Sequence, residues 1–422
     1  MLLEFRVENH RSIRDEQVFS LEPPRADERA AQREGDPTVL PVAAIYGANA
    51  SGKSNILAAL RFTRDAVVHS HRLWLPEAAV PREPFAWGPK AKDPSLFETR
   101  FVLAGVTYEY GFVVDDVRFL EEWLHVWPHG RRQVWFEREG DDFKFGEHLR
   151  GENRLAEKVT RPNSLFLSAA VQNRHEQLTP VFRWFRDLRT FNVRGRRASG
   201  VETLEEFNLS RWFAPSPQRS LFEDSDDNGL PERLDLLRRF LRAADVGIID
   251  LKIESDDDEA RAGRPRRFRV FLRHRSDEGE AWLPLEEESQ GTRQLFRLAP
   301  LVLEALFRGR VLIVDELEAS FHPLLALEIL RFFDDPARNP NRAQLIFATH
   351  DTNLLGTTLG APSLTRGQVW FTEKDREGST RLYPLTDYRP RKAENLERGY
   401  LQGRYGAIPF LGDITTVGQT GT

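Results

Sequence analysis

The stretch "IYGANASGKSNILAAL", residues 45–60, decides the fold. A glycine, four residues and then Gly-Lys-Ser form the pattern of a phosphate-binding loop, with Gly47, Gly52, Lys53 and Ser54 at its fixed positions. The flanks agree with it. The apolar run "PVAAIY" (41–46) is of strand type, and "SNILAAL" opens a helix with apolar residues at helical spacing. Glycines at 47 and 52 let the backbone curl so that successive N–H groups face a phosphate, and the helix N-terminus adds partial positive charge. The pattern predicts that Lys53 reaches the β- and γ-phosphates of ATP and that the Ser54 hydroxyl ligates Mg²⁺. Asn49, Ser51 and Asn55, within and beside the loop, join the expected nucleotide-binding set.

Composition narrows the class. A chain of 422 residues can bury a large core and carry an added lobe. A net charge of −5 gives no uniform attraction to nucleic acid, leaving local basic clusters such as "NVRGRRAS" (192–199) and "RPRRFR" (264–269). Cysteine is absent, which removes disulfides, thiolate nucleophiles and cysteine-bound zinc and fits a reducing cytoplasm. The first 23 residues hold no apolar block of signal-peptide length. The most apolar region, 295–314, is interrupted by Arg297, Glu304, Arg308 and Arg310, so no membrane span is expected. A cytoplasmic protein is the expectation.

Along the chain, "LLEFRVENHRSI" (2–13) reads as an N-terminal strand, and residues 84–140 alternate apolar and polar positions as a β-rich region. Residues 150–245 read as helical, with "TPVFRWFRDL" (179–188) and "PERLDLLRRFLRAADV" (231–246) as amphipathic pieces and "FEDSDDNGLPE" (222–232) as a solvated loop. "IIDLKIES" and "RRFRVFLRHR" read as a hairpin whose charged tip holds Asp256, Asp257 and Asp258, taken as solvated surface. The expected division is an ATPase N-lobe with a β-rich subdomain at 1–149, a helical insertion at 150–245, an ATPase C-lobe at 246–388 and a C-terminal segment at 389–422. No repeat and no sustained heptad pattern is present. The tail "GDITTVGQTGT" is polar and read as frayed.

A nucleotide-binding lysine calls for a Mg²⁺-supporting acid at the end of a later buried strand. "RGRVLIVDELEASFHP" (308–323) supplies Asp315 for the Mg²⁺ shell and Glu316 to orient or deprotonate the attacking water. Upstream, "EEESQGTRQLFRLAPLVLEALFRG" places Ser289 and Gly291 before an apolar helix, where N–H groups suit a phosphate or where Ser289 merely caps the helix. Pro300 within that helix is expected to kink it or break it in two. Downstream, "AQLIFATHDTNLL" reads as another buried strand, ending in Thr349-His350-Asp351.

This order resembles the ABC-type ATPase heads of the SMC and RecF group, an α/β P-loop fold of two lobes, here with a helical insertion. "VENHRSI" (7–13) resembles that group's N-terminal strand, whose arginine and serine lie near the nucleotide, which points to Arg11. More narrowly, the chain resembles the RloA/AbiLi ATPases of bacterial abortive-infection loci. The resemblance rests on "GANASGKSN", "NSLFLSAA" (163–170), "ESQGT", "VDELEASFHP", "FATHD" and the stretch 370–409. It implies a head-to-tail dimer in which Ser289 and Gly291 of one subunit contact the γ-phosphate held by the other. Ser320 would then lie in the loop crossing the interface, and His350 would touch the γ-phosphate. Gln133 and Gln172 are the two candidates for the glutamine loop.

The resemblance implies an ATP- and Mg²⁺-dependent sensor subunit of an anti-phage system, controlling a separate Toprim-type nuclease similar to RloB/AbiLii. A phage protein or nucleic acid would be the trigger, with no membrane involved. The segment after Tyr388 holds no carboxylate cluster large enough for a nuclease centre, so that centre is expected on another protein. The alternative is a RecF-like repair ATPase that clamps DNA, which needs a basic surface and strong salt dependence. A scaffold that merely binds ATP is disfavoured by the presence of Glu316. The C-terminal "PRKAENLERGYLQGRYGAIP" (390–409) suits either a partner anchor or a helix packed on its own core.

Overall fold

The computed structural model describes residues 1–23, 38–194, 230–244, 247–255, 268–275, 281–318, 322–357, 363–388 and 394–408. Among these, three sheets are formed. The central one has six strands, and four of them, β3 (Val42–Gly47), β9 (Arg189–Phe191), β13 (Val311–Val314) and β14 (Gln344–Ala348), run parallel in the order β3-β14-β13-β9. β15 (Val369–Lys374) adds in parallel to β3, and β16 (Thr380–Pro384) closes that edge antiparallel to β15.

Strand β3 shows why the sheet is apolar throughout. Its residues alternate between two cores: Ala43 and Ile45 join one, and Val42, Ala44 and Tyr46 join the other. A strand covered on both faces has no solvent side for polar residues, which explains the unbroken run "VAAIY". The first core is closed by α1 (Lys53–His69), α3 (Phe166–Gln172) and α4 (Thr179–Arg186). The second is closed by α5 (Leu230–Ala244), α6 (Gln290–Arg308) and α7 (Pro323–Asp334).

The predicted β-rich region supplies β4 to β7 of a seven-stranded antiparallel sheet, ordered β2-β1-β4-β5-β6-β7-β8, which the N-terminal strands and β8 complete. Here β1 is Leu2–Glu8, β2 Gln17–Ser20, β4 Ser95–Leu103, β5 Val106–Val114, β6 Phe119–Trp127, β7 Gln133–Glu139 and β8 Asp142–Phe145. In the segment 150–245, α2 (Asn153–Val159) packs against α3, the helices α3 and α4 pack on α1, and β9 joins the central sheet. Buried Glu122 of β6 anchors α3 by accepting from the backbone N–H groups of Phe166 and Leu167 at 2.6 and 3.0 Å. The expected hairpin is present, with β10 (Ile248–Ser255) antiparallel to β11 (Phe268–His274) and β12 (Ala281–Pro284) beside it. Most of its tip, with Asp256–Asp258, lies outside the described residues, as do most of both basic clusters, most of the loop 222–232 and the tail 412–422.

Of the two outcomes expected at Pro300, a break does not occur: α6 runs unbroken from Gln290 to Arg308. Pro300 is buried, and the apolar face around it, Phe296, Ala299, Leu301 and Val302, holds the helix on the second core despite the missing N–H. The C-terminal segment forms α8 (Leu396–Leu401) and packs on its own chain: Tyr400 stacks on Phe371 at 5.4 Å and Tyr405 is buried against it at 5.9 Å.

His10, just after β1, is fully buried against the rings of Phe62 and Phe97, and neither of its ring nitrogens has a hydrogen-bond partner among the described residues. Burial, helped by the charge of Arg11, lowers its imidazole from 6.5 to about 3. The unfolded chain therefore binds more protons than the folded one between these values, so stability is intact above pH 6.5 and falls as the solution is acidified toward pH 3. Each unit costs about 1.4 kcal/mol. Between pH 6.5 and 5 the native chain should lose about 2 kcal/mol that His10→Phe does not lose. Denaturant titrations of both proteins at the two pH values check this, and an equal acid loss in both would refute the assignment.

Candidate functional site

Strands β3, β14 and β13 are neighbours and parallel, so they end on one side of the sheet, and the segment after each carries part of the expected site. Such strand ends are where open parallel sheets bind ligands, because loops and helix N-termini converge there.

The loop after β3 needs its glycines. Gly52 has φ +113, and a side chain there would meet Thr380 at 2.1 Å; one at Gly47 would meet the carbonyl oxygen of Thr372 at 2.5 Å. Gly52 is also the N-cap of α1, and no side chain caps that helix, so its first N–H groups and the positive end of its dipole serve the loop. Lys53 folds back over the loop, its Nζ donating to the carbonyls of Gly47 at 2.8 Å and Ala48 at 3.0 Å. Burial lowers its ammonium to about 8, against the pull of Glu318, Asp315 and Glu316.

After β13, Asp315 is 7% exposed and accepts from Ser54 Oγ at 3.0 Å through Oδ1. Burial raises its carboxyl above the usual range, opposed by the Ser54 hydrogen bond and reinforced by Glu316 beside it. Glu316 takes a left-handed turn, φ 55, after which the Leu317 N–H donates to the Ala348 carbonyl at 3.2 Å. The turn buries Leu317 and leaves Glu316 exposed. After β14, Thr349 donates its N–H to the Ile45 carbonyl at 3.1 Å, and the His350 N–H donates to Glu318 Oε1 at 2.5 Å. Partial burial and the nearby charge of Lys53 lower the His350 imidazole below its ordinary value.

These residues suit a nucleoside triphosphate and Mg²⁺. A hydroxyl and a buried carboxylate are hard oxygen donors, so Ser54 and Asp315 would hold the cation. Lys53, satisfied here by neutral carbonyls at the open end of α1, would hold the phosphates. The bound Mg²⁺ would neutralise charge on the phosphates during transfer.

The remaining expected residues stand as follows. Arg11, at φ 52, pairs with Glu83 at 3.0 Å and reaches Asn55 Oδ1 at 3.4 Å, so it lies beside the first turn of α1. Asn49 is exposed on the loop. Ser51 Oγ bonds Thr372 Oγ1 at 2.6 Å. Ser289 is exposed at the start of α6 and caps it, accepting from the Thr292 N–H at 3.1 Å; Gly291 lies in the first turn. Ser320 lies outside the described residues. Gln133 begins β7 and Gln172 ends α3, and no hydrogen bond among those described joins either to the loop.

Sequence reading missed the hydroxyl chain that braces the loop from behind. Asn55 Nδ2 donates to Ser12 Oγ at 2.6 Å, Ser12 Oγ bonds Thr380 Oγ1 at 2.6 Å, and Thr380 Oγ1 donates to the Ser51 carbonyl at 2.9 Å. Thr372, on β15, completes it through Ser51. The available signal was a threonine in each of two adjacent strands, "VWFTEK" of β15 and "TRLYP" of β16. Glu318 was missed as well, two residues beyond the acid that drew the eye.

Among solved structures the chain is similar to the SMC head domain of Thermotoga maritima (13% identity, covering 91% of this chain and 98% of that one, TM-score 0.39). It is also similar to the Smc head domain with an extended coiled coil bound to the C-terminal domain of ScpA derived from Pyrococcus furiosus (13% identity, 92% and 97%, TM-score 0.42). Comparison with curated proteins gives no match. The sheet order and the loop define the α/β fold of an ABC-type P-loop ATPase. No helix among the described residues is long and apolar enough to cross a membrane. A family model described as "AAA domain, putative AbiEii toxin, Type IV TA system" matches residues 42–356, from the first residue of β3 to beyond His350, and the chain belongs to that family.

Proposed function

We propose that the protein is a Mg²⁺-dependent ATPase that works as the sensor subunit of a two-component anti-phage system, closing as a head-to-tail dimer and controlling a separate Toprim-type nuclease. One observation carries the ATPase reading: Lys53, the Ser54–Asp315 pair, Glu316 and His350 come from the ends of three adjacent parallel strands. In this reading Lys53 and the loop, with Arg11, Asn49, Ser51 and Asn55, hold ATP. Glu316 takes the proton of the attacking water, and His350 steadies the γ-phosphate.

Dimer closure rests on Ser289 and Gly291. The exposure of Ser289 at the N-terminus of a 19-residue helix, whose cap its hydroxyl forms, suits a phosphate presented by a second subunit, with Ser320 at the seam. The defence setting is supported by the family description, "putative AbiEii toxin, Type IV TA system", and by the resemblance to RloA/AbiLi. Net charge of −5 speaks against a DNA clamp. Turnover measured with and without duplex DNA at low salt separates the two. The defence reading expects the rate to stay within about twofold and to respond instead to a Toprim nuclease of the RloB/AbiLii type. Strong, salt-sensitive stimulation by DNA would transfer the assignment to a repair clamp.

A further inference from the structure

The acid least accounted for in this cleft is Glu318. Its Oε1 holds the backbone N–H of His350, tying the segment after β13 to the segment after β14. Its Oε2 is buried and has no hydrogen-bond partner among the described residues. A carboxylate oxygen is an acceptor, and leaving one buried without a donor is costly, so a partner is expected when the site is filled. Glu318 is one of the three acids, with Asp315 and Glu316, whose charge acts on the Lys53 ammonium, so it belongs to the same cluster at the strand ends. Phosphate oxygens are themselves anionic acceptors and cannot satisfy it. A donor compatible with a phosphate-filled cleft is water.

We infer that Glu318 is a second water-orienting residue of the hydrolytic site: Oε1 fixes the segment bearing His350, and Oε2 accepts a hydrogen bond from the water that attacks the γ-phosphate. This rests on the ATPase reading above. In the step, the water oxygen bonds to the γ-phosphorus. The bond from that phosphorus to the β,γ-bridging oxygen breaks, its electron pair leaving with ADP. One water proton passes to Glu316 and then to the released phosphate. The second hydrogen remains on that oxygen, held by Glu318, so that the lone pair points at phosphorus; Glu316 alone would leave the water free to rotate.

Two variants of the full chain test this, Glu318→Gln and Glu316→Gln, each measured for kcat and for the Kd of a non-hydrolysable ATP analogue. Glutamine at 318 keeps an amide oxygen to accept from the His350 N–H, so the tether survives while the charged acceptor is lost. The expected result is a fall in kcat of roughly ten- to a hundredfold with Kd within about twofold of native. A native kcat in Glu318→Gln overturns the inference, as does a fall in kcat matched by a comparable weakening of Kd, which marks a structural role. The underlying reading fails separately: Glu316→Gln with native turnover, or a native chain with no Lys53-dependent turnover, removes it whatever Glu318 does.

Discussion

Glu316→Gln is expected to abolish ATP turnover while leaving nucleotide binding intact and trapping two subunits around it. Glutamine matches glutamate in size, so the left-handed turn at φ 55 that exposes the side chain is kept. The amide cannot accept the proton that water loses, and removal of a positioned general base costs about 10²- to 10⁴-fold in rate. Two charges also change. The neighbouring Asp315 carboxyl, raised in part by Glu316, relaxes toward its ordinary range, and Lys53 loses the weakest of its three acidic neighbours. Neither change weakens phosphate binding. Steady-state phosphate release together with light scattering under saturating ATP checks both halves. Native turnover would show that another group serves as the base, and a particle mass that is the same with ATP and with ADP would show that closure does not depend on the triphosphate.

Lys53→Ala is expected to lose nucleotide binding itself. The ammonium already sits in the curl of the loop, held by the Gly47 and Ala48 carbonyls, and needs a short swing to reach a phosphate. Removing one partner of a desolvated charge pair costs about 2–5 kcal/mol, so affinity for ATP should fall by roughly 30- to 5,000-fold. Fold stability should change little, because burial lowers the lysine to about 8 and no ion pair holds it among the described residues. Calorimetric titration measures the affinity, and a Kd unchanged by the substitution would place the phosphates elsewhere.

Most of the site was legible because its chemistry is local. The span Gly47 to Ser54 builds its own turn and helix start, and Asp315 and Glu316 sit where an apolar strand must end; the fold then brings them together, as the Ser54–Asp315 hydrogen bond shows. What could not be read depends on contacts distant in the chain. The hydroxyls that brace the loop come from Ser12, Thr372 and Thr380, more than 350 positions apart at the extremes, and a threonine in a strand does not by itself say what it will bond. The helix does not break at Pro300 because the cost of the missing N–H falls on a segment whose buried face holds it against the core. The tyrosines of the C-terminal segment fitted a partner surface or an internal one equally well until Tyr400 and Tyr405 were found packed on Phe371.

Phosphate release by the purified chain with ATP and Mg²⁺, native beside Lys53→Ala, tests the central claim most directly. The account predicts slow turnover by the native protein that chelation of Mg²⁺ and the substitution each abolish. Equal release from both proteins, or none from the native chain under any condition that saturates it with nucleotide, would contradict it.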